Sequence, residues 1–474
     1  MLRVTAPTRQ QTVTAWADDA LGTDDAVGLA DRLRRGAVSA PELVEAAIAR
    51  VEAVDGPLNA LAFRAFDRAR VDAQDPGTAY FAGVPSVLKD NVDVAGMPTR
   101  QGTDAWQGRP APRDGDLARM YLATGLVPLG KSQLSEFGFS AAAEHPRLGA
   151  VRSPWSTAHV AGASSAGSAG LVASGALPIA HANDGGGSIR IPAAVNGLVG
   201  LKPTRGRFAQ DALLRRMPVR IVSDGVVTRS VRDTAAFFRE AEKVFHAVGM
   251  PPVGDLTRAG RRRLRVGLTT AGAGVTATPE VAAATREVGL LLESLGHEVE
   301  EVDAPVPDGF RDDFLLYWAT TALALVRGGR RMHGRSWDVD RLDPLTRGLA
   351  RHAERRLHKV PGAVRRLRRS QEVTDGFYAR HDVLLSPTLA HPTPLVGHLD
   401  PTQGFDVVMD RLLEWVAFTP LQNATGEPAI SLPLAGDGAG LPLGVMVAGP
   451  RGTEGRLIGL AYELEEARPF ARLV

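Results

Sequence analysis

The sequence predicts an α/β fold. Two observations carry that expectation. Short apolar runs of strand length alternate along the whole chain with longer segments of helical period. Hydrophobic residues make up 44% of the 474 positions, enough for a large core. No internal repeat and no clear linker interrupts the pattern. The division expected is a loose polar leader over residues 1 to 23, followed by one domain over 24 to 474.

From Asp24 a helical pattern begins, with Leu29 and Leu33, then Leu43, Val44, Ala47, Ile48 and Val51. Ser39 and Glu42 form a capping box for the second helix. Phe81 to Val94 reads as strand, loop, strand, with Lys89-Asp90-Asn91 as the loop. Leu117 to Thr124 reads as a helix ended by Gly125, and Leu126 to Leu129 as a short buried strand. Gly162 to Ser168 is a small-residue loop, Ala169 to Ser174 a helix, and Ile179 to Ala182 a strand end. Asp184-Gly185-Gly186-Gly187-Ser188 is a tight turn that leads back into apolar structure. Residues 264 to 302 form a βαβ-like unit, with Gly296 capping its helix. Residues 341 to 370 form an Arg-rich helical stretch. Ala429 to Leu434 and Gly444 to Ala448 read as paired strands around a Gly-rich turn.

Composition narrows the function. The net charge of +2 makes the chain as a whole no electrostatic match for nucleic acid. The runs Arg261-Arg262-Arg263 and Arg365-Arg366-Leu367-Arg368-Arg369 lack interleaved aromatics and read as solvated faces. No uncharged apolar stretch reaches the length of a membrane span, and Met1 to Asp19 lacks the apolar core of a secretory signal. A cytoplasmic monomer or homodimer acting on a small molecule, with no nucleic-acid or membrane partner, is the expectation. The absence of cysteine excludes disulfides, thiolate catalysis and Cys-ligated metal. No paired-His spacing suggests zinc, and neither a metal nor a cofactor is expected.

Two local motifs mislead. Gly125 to Ser132 matches the P-loop spacing, but a helix precedes it, and Pro128 brings no N–H to a phosphate. Ser86-Val87-Leu88-Lys89 matches the S-x-x-K of penicillin-recognising enzymes, but it reads as a strand and its partner motifs are missing. There is no G-x-S-x-G elbow, and His181 near the glycine turn reads as structural.

The remaining chemistry centres on the glycine turn. Acyl transfer needs a nucleophile beside backbone N–H groups that can point at a developing oxyanion. Gly185, Gly186 and Gly187 before Ser188 remove the side chains that would block that approach. A base is then required. Only five lysines occur, Lys89, Lys131, Lys202, Lys243 and Lys359, in a chain whose positive charge is otherwise arginine. Lysine can lose its proton when buried, and arginine cannot. Lys89 follows the apolar Val84 to Leu88 run, and the Ser164-Ser165 pair could bridge it to Ser188. On the residues alone, a Gly-rich loop packed on a sheet beside a surface lysine fits equally well.

The block Gly162-Ala163-Ser164-Ser165-Ala166-Gly167-Ser168-Ala169, then Asn183-Asp184-Gly185-Gly186-Gly187-Ser188-Ile189-Arg190, then Gly197 to Gly206, resembles the signature block of the amidase signature family. Gly83-Val84-Pro85 with Leu88-Lys89-Asp90, Gly130-Lys131 with Glu136-Phe137, and Gly426 to Pro433 resemble its other segments in the right order. The resemblance implies the fold of that family, a large mixed central β-sheet flanked by α-helices. It implies a Ser–cis-Ser–Lys triad of Ser188, Ser164 and Lys89, with a cis bond between Ala163 and Ser164. It implies an oxyanion hole from the N–H groups of Gly185, Gly186, Gly187 and Ser188, supported by Ser165, Asp184 and Arg190. Asn183 and Gly185 depart from the usual threonines, which suggests a more flexible oxyanion loop.

The implied activity is hydrolysis of a C–N bond in a small aryl or aliphatic amide, with carbamates (urethanes) and esters as further substrates. The alternative is the glutaminase-type subunit of a tRNA-dependent amidotransferase. Phe314, Tyr317 and Trp318 on a helix over residues 311 to 326 suggest either a pocket wall or ordinary core aromatics. Phe137 and Asn423 are further pocket candidates from the matched segments.

Overall fold

The computed structural model describes residues 11–473. A small three-stranded sheet comes first in the chain. It is built of β1 (Leu61–Arg64), β2 (Pro85–Lys89) and β3 (Val127–Ser132), with β3 central, antiparallel to β1 and parallel to β2. Both β2 and β3 are buried along their whole length, so neither shows the in–out alternation of a half-exposed strand. The strand expected over Val92 to Val94 is a turn instead. Asn91 and Val92 donate back to the Lys89 carbonyl and the chain reverses there.

The main sheet has eight strands. In chain order they are β4 (Ile179–Asp184), β5 (Val199–Lys202), β6 (Ser223–Thr228), β7 (Arg265–Leu268), β8 (Glu298–Glu301), β9 (Val383–Pro387), β10 (Ala429–Gly436) and β11 (Pro442–Ala448). Their spatial order is β8-β7-β9-β11-β10-β5-β6-β4. The β8–β7 and β7–β9 pairs are parallel and the rest antiparallel, so the sheet is mixed. The expected βαβ unit is β7, the Pro279–Ser294 helix and β8, with Gly296 at φ +88 just past the helix end. That unit forms the sheet edge far from β4. The expected pairing of β10 with β11 is also present.

Two buried helices connect the sheets to the glycine turn. Ala166–Ala173 is buried on every residue, as its apolar and small composition demands. A Cβ on Gly167 would lie 2.1 Å from the Ala60 carbonyl oxygen, so only glycine lets this helix approach the β1 end. This helix starts at Ala166, inside the stretch expected as loop. Arg190–Asn196 follows the turn and ends at Gly197, φ +70. The Arg-rich stretch is helical as expected, with helices Pro344–Glu354 and Val360–Tyr378. No helix among the described residues is long and apolar enough to cross a membrane.

The described part of the expected leader, residues 11–23, is not loose. Val13 and Ala15 are buried and their N–H groups donate to the Pro154 and Ser174 carbonyls, each at 2.8 Å. The guanidinium of Arg50, only 3% exposed, holds Asp19 at 2.6 Å and donates to the carbonyls of Ala17, Gly22 and Gly175. The polar composition was misleading because the anchoring donor comes from another helix. Asp19 is partly exposed, so the loss on removing Arg50 comes mainly from carbonyls left without their donor. Arg50→Ala is therefore expected to lower unfolding free energy by roughly 2 kcal/mol. Urea denaturation would measure it, and limited proteolysis should show new cleavage between residues 11 and 23.

Candidate active site

The site forms where β2, the start of the Ala166–Ala173 helix and the end of β4 converge. β2 ends at Lys89 and carries its side chain fully under the surface. The Lys89 N–H donates to His181 Nδ1 on β4 at 3.2 Å. That hydrogen bond leaves His181 Nε2 to face Asp224 Oδ1 at 3.4 Å, so His181 is a structural link between strands, as expected. Lys89 Nζ lies 2.6 Å from Ser164 Oγ and 2.6 Å from Asn183 Oδ1. Burial lowers the Lys89 pKa to about 7, against the opposing pull of the Asp224 and Asp184 charges.

Ser164 follows a cis peptide bond from Ala163. Ser165 begins the helix and its hydroxyl sits between the Asn183 carbonyl, 3.3 Å, and the Asn183 N–H, 3.4 Å. Gly138 has φ +76, and a Cβ there would come within 3.1 Å of Ser164 Oγ. Phe137 beside it takes φ 50, unusual for a residue with a side chain, and its ring stacks with Trp106 at 5.8 Å.

The glycine turn is held by Asp184 and Arg190, both with no solvent exposure. Asp184 Oδ1 accepts from the Gly187 N–H at 2.7 Å, and Oδ2 from Ile189 at 3.3 Å. Arg190 forks onto both carboxylate oxygens at 2.9 Å and reaches Gln422 Oε1 and Asn423 Oδ1. Burial alone would raise the Asp184 pKa, but the Arg190 charge and hydrogen bonds outweigh it and hold the carboxyl at about 2. Gly187 has φ +136, and a Cβ there would sit 2.4 Å from Thr419 Oγ1. Thr419 in turn donates to the Gly186 carbonyl at 2.6 Å.

Because the Gly187 N–H is taken by Asp184, it does not face the cleft as a free donor. No protein acceptor among the described residues takes the N–H groups of Gly185, Gly186 or Ser188. The two departures from the usual threonines have local reasons. Asn183 supplies the carbonyl oxygen that Lys89 bonds. Gly185 faces Trp318, whose indole would meet a Cβ at 3.2 Å, with Val222 at 3.4 Å. The turn is thus walled rather than loose.

Two cavities meet at Ser188. A polar cleft of about 540 Å³ includes Ser164, Asn183, Gly185, Phe137 and Trp318 on its wall. A narrow pocket of about 80 Å³ is lined by Phe139, Ile191, Phe314, Trp318, Met409 and Leu412, among other uncharged side chains. Phe137 and Trp318 therefore lie where a pocket residue should. Tyr317 and Asn423 do not. Tyr317 packs beside Phe310 and Phe314 under the wall, and its hydroxyl donates to the Val219 carbonyl at 2.7 Å, so it lines neither cavity. Asn423 is 1% exposed, and its amide is consumed by Asp184, Ile221 and Arg190. It braces the turn instead of lining a pocket. Sequence reasoning missed Met409, Leu412 and Thr419, which come from a segment with no local motif.

The Amidase family profile matches residues 42–458. A relative named AmiC, from Mycobacterium leprae (strain TN), is 57% identical over 464 residues, covering 98% of this chain and 99% of its own. A 6-aminohexanoate-cyclic-dimer hydrolase from Paenarthrobacter ureafaciens is 33% identical over 472 residues, 94% of this chain and 95% of its own. A solved structure of 6-aminohexanoate cyclic dimer hydrolase superposes with TM-score 0.86 at 31% identity, covering 96% of this chain and 98% of that one. A bacterial aryl acylamidase structure, described as an amidase signature enzyme, gives TM-score 0.82 at 27% identity over 94% and 96% of the two chains. The chain belongs to the amidase signature family and is a hydrolase of carbon–nitrogen amide bonds.

Proposed function

We propose that the chain hydrolyses small carboxamides through an acyl-enzyme on Ser188, with Ser164 as proton relay and neutral Lys89 as base. The observation that carries this reading is the 2.6 Å contact between Lys89 Nζ and Ser164 Oγ at a fully buried lysine. A neutral amine can donate one N–H to Asn183 Oδ1 and turn its lone pair to the Ser164 hydroxyl. Lys89 then takes the Ser164 proton while Ser164 takes that of Ser188. Ser188 Oγ attacks the carbonyl carbon, and the oxyanion forms against the unpaired N–H groups of Gly185, Gly186 and Ser188. The proton returns through Ser164 to the leaving nitrogen, and the C–N bond breaks. Water repeats the sequence on the ester and releases the acid.

The apolar pocket supports an acyl group that is aryl or aliphatic, since Phe314, Trp318 and Met409 offer dispersion contacts and no charge. Carbamates and activated esters present the same carbonyl to the same donors and are part of the proposal. A panel of anilides, primary amides and aryl carbamates tests the range.

Ser188→Ala is expected to abolish turnover of every panel member while the thermal unfolding midpoint stays near that of the parent. Full activity in that variant would remove the assignment. Because protonated Lys89 cannot accept a proton, kcat/KM should rise with pH through a limb centred at about 7, the value burial imposes. A profile flat from pH 5 to 9 would exclude Lys89 as base. Gly185→Thr should lower kcat by crowding Trp318, and Gly185→Thr with Trp318→Ala should recover part of the loss. A double variant whose loss is the sum of the two single losses, read as a double-mutant cycle, would show that the two positions do not couple.

A further inference from the structure

The two cavities that meet at Ser188 differ in charge. No charged side chain lines the apolar pocket. The polar cleft carries Asp93, Asp114, Asp116, Asp211 and Asp224 against Arg113 and Arg119. Of these acids only Asp116 is ion-paired with arginine, Arg119 and Arg215. Asp114 accepts from the Ala95 N–H at 2.7 Å and Asp211 from the Asp116 N–H at 2.7 Å, and neither is paired with a cationic side chain among the described residues. Asp93 is exposed and has no ion pair among the described residues.

Asp224 stands apart from the other four. It is 3% exposed, and it pairs in strand register with Asn183, the residue that holds Lys89. One carboxylate oxygen faces His181. The other, Oδ2, is buried and has no hydrogen-bond partner among the described residues. On the same cleft wall, the buried Oδ1 of Asn91 also lacks a donor. A buried acceptor without a donor is destabilising, the more so when it is charged. Both orphans are acceptors, so the group they suit is rich in N–H.

We propose that this cleft receives the leaving-group side of the substrate and selects amides whose amine carries a second, cationic nitrogen, with Asp224 as a specificity-determining residue. The inference rests on the acyl-enzyme reading above. In that reading the proton passes from Ser164 to the leaving nitrogen. Ser164 lines the polar cleft and is not on the wall of the apolar pocket. The leaving amine therefore faces the carboxylates, and the acyl group faces Phe314 and Met409. Carboxylates in a cleft with low-dielectric walls concentrate cations there. Lys89 does not satisfy the orphaned oxygen, because its side-chain nitrogen is bonded to Ser164 and Asn183. The reaction stays an ordinary hydrolysis. The acyl C–N bond breaks, water supplies the acid oxygen, and the diamine leaves with its second nitrogen still protonated.

Two amides with one acyl group and equal length test this: the monobutanamide of diaminobutane, which is cationic, and N-pentylbutanamide, which is neutral. The parent protein should favour the cationic amide in kcat/KM by roughly tenfold at low salt, and the preference should shrink as ionic strength rises. Asp224→Asn should collapse the ratio towards one, mainly through KM for the cationic amide. Asp93→Asn, at an exposed position, should reduce both the ratio and its salt dependence even if Asp224→Asn folds poorly. Equal kcat/KM for the two amides, or a preference untouched by both variants, overturns the proposal. If neither amide is turned over, the acyl-enzyme reading is what fails. Calorimetry of diaminobutane against pentylamine binding to Ser188→Ala then decides the cleft separately. Tighter binding of the diamine supports it, and equal binding overturns it.

Discussion

Asp184 and Arg190 form an ion pair with no solvent contact on either side chain, and the geometry of the whole site hangs from it. Taking two charges out of water is costly, and the mutual attraction offsets that only when the remaining donors and acceptors are filled. Here they are filled. The carboxylate takes Arg190 in a fork, the Gly187 and Ile189 N–H groups, and the Asn423 amide. The guanidinium takes Gln422 and Asn423 as well. One buried pair thus clamps the turn before Ser188 to a segment more than two hundred residues away. A turn of three glycines has no side chains to fix its shape, so the fixing must come from outside it.

The same logic of burial sets the base. Lys89 lies on a strand buried on every residue, and desolvation disfavours its ammonium form. The nearby acids Asp184 and Asp224 pull the other way, and the balance settles near neutrality of the solvent. Lys202 shows that burial alone does not make a catalytic base. Burial also lowers its pKa to about 7, yet its amine donates to the Pro203 carbonyl at 2.8 Å beneath the sheet. What distinguishes Lys89 is a hydroxyl at hydrogen-bond distance that opens onto a cleft.

Packing also decides which variation the site can carry. Trp318 presses on Gly185, so the usual threonine would need the indole to move. Trp318 borders both the polar cleft and the apolar pocket. A single side chain therefore borders the turn, the cleft and the pocket at once. The helix that carries it, Phe310–His333, packs on the Pro344–Glu354 and Val360–Tyr378 helices, so the Arg-rich region supports the pocket wall from behind.

Much of this was legible in the sequence. Alternating periods gave the α/β class, the Ser39 and Glu42 capping box is present, and the β7 to β8 unit and the β10–β11 pair lie where patterning put them. The glycine run marked the turn at Ser188, because a backbone that must approach a ligand leaves its mark as glycine in one short stretch, whereas Ser164 and Lys89 came as what the family resemblance implies. The roles of Tyr317 and Asn423 were not legible, since the face a helical residue presents depends on the neighbours it packs against. The anchoring of residues 11–23 depends on Arg50, and the pocket on Met409 and Leu412, all remote in sequence. By itself the sequence determined which local segments form and which residue types supply the chemistry, because those follow from short-range propensity and composition. Only the tertiary structure decided which side chains face the cleft, which are tied up as braces, and where a carboxylate such as Asp224 is left without a donor. Those depend on contacts between segments hundreds of residues apart, and no local pattern records them.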